Sequence, residues 1–216
     1  MDALRGEMLW YDDAPSNVAE DILRKVHRPT ILPAPISDSR DLRRFECHLK
    51  GNGVGKYFSV AEIVRPNRPD VAAASGWEDL TPPAFCWGLS TLLICLADRM
   101  REAAGSPVTL RNYWRPQSYN SRVSSSGIDS DHPNAAGIDL DFKSIQARQA
   151  ALSWLCDFIN ATENSARVSV GLGAQTLHVG VLSPLGSRYW TYDSWSGAVP
   201  ETLVRMAEMP FLRVYA

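Results

Sequence analysis

Two short segments constrain this chain more than any other feature. In "GIDLDF", residues 137–142, apolar and polar residues alternate. Successive side chains of a strand point to opposite faces, so Ile138, Leu140 and Phe142 share one face and Gly137, Asp139 and Asp141 the other. "TLHVGV", residues 176–181, repeats the pattern, with Leu177, Val179 and Val181 opposed to Thr176, His178 and Gly180. An apolar face packs on helices, so Asp139 and His178 face away from the core. If the strands are neighbours, Asp139 and His178 converge, and Gly180 leaves space beside His178. His132, on the turn ahead of the first strand in "SDHPNAAGIDLDF", closes a triangle. Two histidines and an aspartate leave a tetrahedral ion one open position, as in a catalytic zinc site. The plainer alternative is that these are packed or hydrogen-bonded strand residues.

The remaining patterns supply the layers that such strands need. "TPPAFCWGLSTLLICLADRMREAAGSP", residues 81–107, predicts a helix with Thr81 as N-cap and Pro82 in the first turn. Leu89, Leu92, Leu93, Leu96 and Met100 form its stripe, and Gly105 is its stop. "SIQARQAALSWLCDFIN" predicts a second amphipathic helix capped by Ser144, and "PETLVRMAEM" a short last one. "VTLRNYW" alternates like a strand, "ARVSVGLGAQTLHVGVLS" holds one or two strands around a glycine turn, and "RYWTYDSW" a further one. "RPQSYNSRVSSSG" reads as a polar loop. Helices and strands with short returns predict an α+β domain, its mainly antiparallel sheet flanked by helices. Residues 1–50 differ from this domain, expected over residues 51–216. "PSNVAEDILRKVH" reads as a short amphipathic helix and "RPTILPAPISDS" as a proline-broken stretch. Residues 1–50 are therefore expected to be an N-terminal extension or cap.

Composition narrows the partners. Net charge is -2, and no lysine or arginine run forms a basic arm, so a nucleic-acid partner is not expected. No stretch reaches the roughly 18 apolar residues of a membrane span. "MDALRGEMLWYDD" lacks the apolar segment of a secretory signal. The expectation is a protein made in the cytoplasm, which would need a phage or secretion route to act outside it. Cys47, Cys86, Cys95 and Cys156 contain no CxxC pair. They read as reduced structural residues and not as a cysteine-based zinc site.

"FSVAEI", "VTLRNYWRPQSYNSRV", "SDHPNAAGIDLDF" and "LHVGV…RYW" stand in the order seen in zinc D-alanyl-D-alanine carboxypeptidases. That peptidase group shares its fold with Hedgehog signalling domains. Over roughly residues 56–192 the chain resembles the branch with the signature "GYRSPxYN…SxHxxGxAxD…HVD". The resemblance implies a Hedgehog/DD-peptidase-like fold and Zn²⁺ held by His132, Asp139 and His178. It implies peptidoglycan stem peptides, with bonds to D-amino acids, as substrates hydrolysed through a metal-bound water. Arg115 matches the arginine that binds substrate and polarises the reacting carbonyl. Ser130 matches the serine that opens the motif, and Tyr119 and Asn120 match "YN". Ala135 stands where the family has glycine, and Gly137 where it has alanine. Among Tyr113, Trp114, Trp190, Tyr192 and Trp195, which otherwise read as core or rim, Tyr113 and Trp114 are the better groove candidates because they flank Arg115.

One departure concerns the chemistry itself. Many members carry an acid at i−3 from the last histidine, which takes a proton from the metal-bound water; here that position is Gln175. Others carry an acid at i+2, and here that is Gly180. Glutamine cannot accept the proton. Asp141, on the ligand face, is the candidate to replace the missing base. The alternative is a zinc-binding module that recognises cell-wall peptide or a protein partner without cleaving it.

Overall fold

The computed structural model describes residues 41–124, 130–163, 167–183 and 185–208. The helix expected in "PSNVAEDILRKVH" and the proline stretch after it lie outside these residues. Helix α1 (Leu42–Gly51) starts at Asp41, whose carboxylate accepts from the N–H of Arg44. It buries Phe45 and Leu49 in the same core as the rest of the chain. Helix α2 (Val60–Ile63) is capped by Ser59, and helix α3 (Pro69–Ala74) begins on a proline, whose missing N–H costs nothing in a first turn.

Helix α4 (Trp87–Ala104) is the spine. It starts at Trp87, not at Thr81. Pro82 and Pro83 keep the chain extended there, with Pro83 at φ −57 and ψ 149, and a 3-10 turn at Ala84–Cys86 leads in. Its end is the expected one, with Gly105 left-handed at φ 61. Leu93, Ile94, Leu96, Ala97 and Met100 are all buried, so α4 is apolar on more than one side and sits inside the fold. Its Asp98 accepts from the N–H groups of Gly55, Lys56 and Tyr57 and fastens the glycine-rich loop to the helix.

Strand β1 (Val108–Asn112) follows, then helix α5 (Gln117–Val123), where a polar loop was expected. Few apolar residues mark α5. Tertiary burial holds it instead: Tyr119 and Asn120 are buried, and the Tyr119 hydroxyl accepts from the N–H of Arg68. Strand β2 (Gly137–Phe142) leads to helix α6 (Ile145–Ala161), capped by Ser144 as expected. Strands β3 (Ser169–Leu172) and β4 (Thr176–Gly180) form a hairpin, followed by strand β5 (Arg188–Thr191) and helix α7 (Glu201–Glu208).

The sheet order is β1-β2-β4-β3-β5. The β1–β2, β2–β4 and β3–β4 pairs are antiparallel, but β3 and β5 are parallel, which corrects the expected antiparallel sheet to a mixed one. The cause is the short connection over residues 181–187. Gly180 ends β4 beside Ser169, the start of β3, and Ser169 pairs with Arg188 at the start of β5. The chain steps over β3 to the free edge and runs in the β3 direction. Helices α4 and α6 pack on each other and on the face carrying Ile138, Leu140, Leu177 and Val179. The opposite face is left for polar groups. Among the described residues, no helix is long and apolar enough to cross a membrane.

Candidate metal centre

Asp139 and His178 are direct partners in the antiparallel β2–β4 register. Directly opposed strand residues bring their Cβ atoms to within about 5 Å. The His178 Nδ1 lies 2.8 Å from Asp139 Oδ1. His132 arrives from a 3-10 turn (His132–Asn134) and sets its Nε2 at 3.3 Å from Asp139 Oδ2. One ligand atom from each of the three residues lies within 4.8 Å of the others, so the predicted triad assembles as one cluster. All three side chains are largely buried.

The far side of each ring is already held. His132 donates Nδ1–H to the Tyr113 carbonyl at 2.6 Å, which turns the Nε2 lone pair to the cluster. His178 donates Nε2–H to Asp131 Oδ2 at 3.2 Å, which leaves Nδ1 for an ion. Asp131 was missed in the sequence, although it adjoins His132. Its buried carboxylate also accepts from Ser169 Oγ at 2.6 Å, Ser183 Oγ at 2.5 Å and Arg188 Nη2 at 3.0 Å. Outer partners of this kind fix the tautomer and orientation of a ligand histidine.

Two glycines make the room. Gly137 and Gly180 are register partners. A Cβ on Gly137 would lie 2.7 Å from His178 Cε1 and 2.8 Å from Asp131 Cβ, and one on Gly180 would lie 2.7 Å from Asp131 Oδ2. The Ala135/Gly137 exchange therefore has a local logic: Gly137 frees the volume that Asp131 and His178 occupy. Ala135 takes the left-handed conformation at φ 55 and ψ 23, a cost of about 1–2 kcal/mol for a residue with a Cβ.

Electrostatics suit a cation. Burial raises the Asp139 pKa, but His132 and His178 outweigh it and hold the carboxyl well below its ordinary value. Burial lowers the His132 pKa and keeps that ring neutral. For His178 burial acts in the same direction, but Asp131 and Asp139 outweigh it and raise the pKa. The proton on Nδ1 is the one an ion would displace. Two imidazole nitrogens and a carboxylate form a donor set that could hold a divalent transition-metal ion.

Arg115 stands at the rim, 9% exposed, with Nη2 3.3 Å from Asp139 Oδ2. Its Nε makes no hydrogen bond among the described residues. Asn112, also missed in the sequence, donates to Asp139 Oδ2 at 2.8 Å. A cleft of about 470 Å³ opens over the cluster, lined by Arg115, Ser130, Arg188, Trp190 and Tyr192. A second cavity of about 420 Å³ shares Arg115 and Tyr192 and continues past Asp139 to Arg111 and Ser194.

Other expected site residues fall elsewhere. Tyr113 is 1% exposed, with its hydroxyl hydrogen-bonded to Ser90, so only its carbonyl serves the site. Trp114 is buried edge-on against Trp77. The aromatic wall is instead Trp190, whose ring lies 5.0 Å from that of His178, together with Tyr192. Tyr113 and Arg115 both lie past the end of β1, where the strand alternation has stopped, and flanking in sequence is not flanking in space. Ser130 lines the cleft and accepts from the His132 N–H at 3.4 Å. Asp141 accepts from Thr176 Oγ1 at 2.8 Å, two strand positions or about 6.7 Å along from Asp139. Gln175 is exposed in the β3–β4 turn and lines neither cavity.

No protein-family model matches this chain, no curated protein matches it, and no solved structure matches it.

Proposed function

We propose that this chain holds a zinc ion on His132, Asp139 and His178 and acts on peptides as a peptidase of the zinc D-alanyl-D-alanine carboxypeptidase type. Peptidoglycan stem peptides are its proposed substrate class. One observation supports this reading above the others: Tyr113 O and Asp131 hold the outer nitrogens of the two rings, so the inner nitrogens meet the Asp139 carboxylate. When bound, zinc supplies Lewis acidity toward a carbonyl group and toward water. Arg115 places a buried positive charge beside the cluster, suited to a substrate carboxylate or a developing oxyanion. Burial raises the Tyr192 pKa, which keeps its phenol neutral and able to donate a hydrogen bond into the cleft. Trp190 offers an apolar wall.

A second reading, a zinc-holding module that binds such peptides without cleaving them, is favoured by a specific observation. The carboxylates near the cluster are committed: Asp139 as a ligand, Asp131 to its buried partners and Asp141 to Thr176. A general base is worth about 100 to 10,000-fold in rate. Metal content by mass spectrometry, run beside stem-peptide binding and hydrolysis on the same zinc-loaded sample, separates the readings. Stoichiometric zinc with chelator-sensitive cleavage supports the peptidase. Stoichiometric zinc with binding and no cleavage supports the module. Absence of zinc binding removes both.

A further inference from the structure

Arg148 lies in the first turn of α6 and is 3% exposed. Its Nε–H donates to the Ala174 carbonyl at 3.2 Å, and its guanidinium lies over the Trp195 ring, 4.3 Å from the centroid. Its terminal nitrogens make no hydrogen bond, and no carboxylate pairs with it, among the described residues. Buried charges are ordinarily paired, because water's solvation has been given up. Two effects work against this cation. Burial lowers its pKa. It also sits at the positive end of α6, whose first turn contains no acidic residue to compensate.

A cavity of about 360 Å³ opens at Arg148. Ser153, Ser196 and Gln149 supply polar groups, while Trp195, Leu152 and Pro200 supply apolar surface. Arg148 is the single charged residue of this lining. We propose that this cavity is a second ligand site, apart from the metal cluster, which binds a monoanionic carboxylate on Arg148. The planar guanidinium fork matches the two oxygens of a carboxylate. One positive charge balances one negative charge, whereas a phosphate dianion would leave an excess in a half-enclosed site. Trp195, Leu152 and Pro200 suit a ligand whose carboxylate is attached to a flat apolar body.

The test uses the full chain and three probes: benzoate, its neutral analogue benzamide, and inorganic phosphate. The readout is the indole N–H resonance of Trp195, which donates to the Gly197 carbonyl at 2.9 Å and is assigned by its loss in Trp195→Phe. Benzoate is expected to shift it saturably, with benzamide and phosphate at least about tenfold weaker. Arg148→Gln, which retains a donor for Ala174, is expected to weaken benzoate about tenfold or more. Ser196→Ala, at an exposed position, is expected to weaken it a few-fold without disturbing the fold. A free-acid dipeptide that binds as well as benzoate identifies a chain terminus as the natural carboxylate; one that does not identifies a free small acid. Equal shifts from benzoate and benzamide, or benzoate binding that survives Arg148→Gln, overturn the site. Stripping metal with a chelator is expected to leave benzoate binding unchanged. Its loss would move the ligand to the metal cleft and overturn the proposal, whatever the outcome for zinc and peptide.

Discussion

Asp131 Oδ2 lies 3.2 Å from His178 Nε2, on the edge of the ring opposite Asp139. A buried carboxylate thus decides which nitrogen of His178 faces the cluster, and Ser169, Ser183 and Arg188 hold that carboxylate in place. Asp131→Asn keeps the shape but weakens the orienting bond. It is expected to lower zinc affinity by about 10–100-fold, the usual cost of losing such an outer partner. Competition against a chromogenic chelator measures it. Affinity equal to the parent chain would show that packing alone orients His178.

Gly137→Ala restores the alanine of the resembled signature but adds a methyl where there is no room. The new carbon would stand under 3 Å from both His178 and Asp131. Overpacking of this kind costs about 1–3 kcal/mol, and here the strain falls on a ligand ring. Lower thermal stability and weaker zinc binding are expected together. A variant with normal stability and normal zinc affinity would mean that Asp131 moves aside easily.

Gln175→Glu places the missing acid at its sequence position. Gln175 is exposed in the β3–β4 turn and lines neither cavity, so stem-peptide turnover is expected to stay within about threefold of the parent. A gain of about 100-fold would show that the turn carries residue 175 into the cleft during reaction.

Thiol titration tests the burial of the helices around the core. Cys47 is exposed, while Cys86, Cys95 and Cys156 are buried. Burial pushes the Cys86 and Cys156 thiols up to about 11. The thiolate is the reactive form, so at pH 8 only about one in a thousand of those thiols is ionised, rising about tenfold per pH unit. A disulfide reagent at pH 8 is expected to modify Cys47 in the native protein and the buried thiols only in denaturant. Rapid native modification of Cys86 or Cys156 would place those residues at the surface.

Much of the site was legible because strand geometry is simple. Alternation in "GIDLDF" and "TLHVGV" assigns Asp139 and His178 to non-core faces before any fold is known, and Ser144 and Gly105 mark helix ends by local chemistry. Thr81 misled because the same local rule met Pro82 and Pro83, which hold the chain extended. Helix α5 was hidden because its burial comes from Arg68 and neighbouring helices, and its own sequence has little apolar periodicity.

What the sequence by itself determined is the set of residues whose chemistry could hold a metal and the faces that Asp139 and His178 occupy, since both follow from residue identity and the two-residue repeat of a strand. Only the tertiary structure decided that β2 and β4 are neighbours with Asp139 opposite His178, and that β5 joins β3 in parallel. It alone put Asp131 behind His178, Trp190 beside that ring, and Tyr113 in the core. The physical reason is range. Side-chain direction is set by bonds within a few residues, whereas register, burial and the pairing of a charge depend on segments that meet only after the chain has closed on itself.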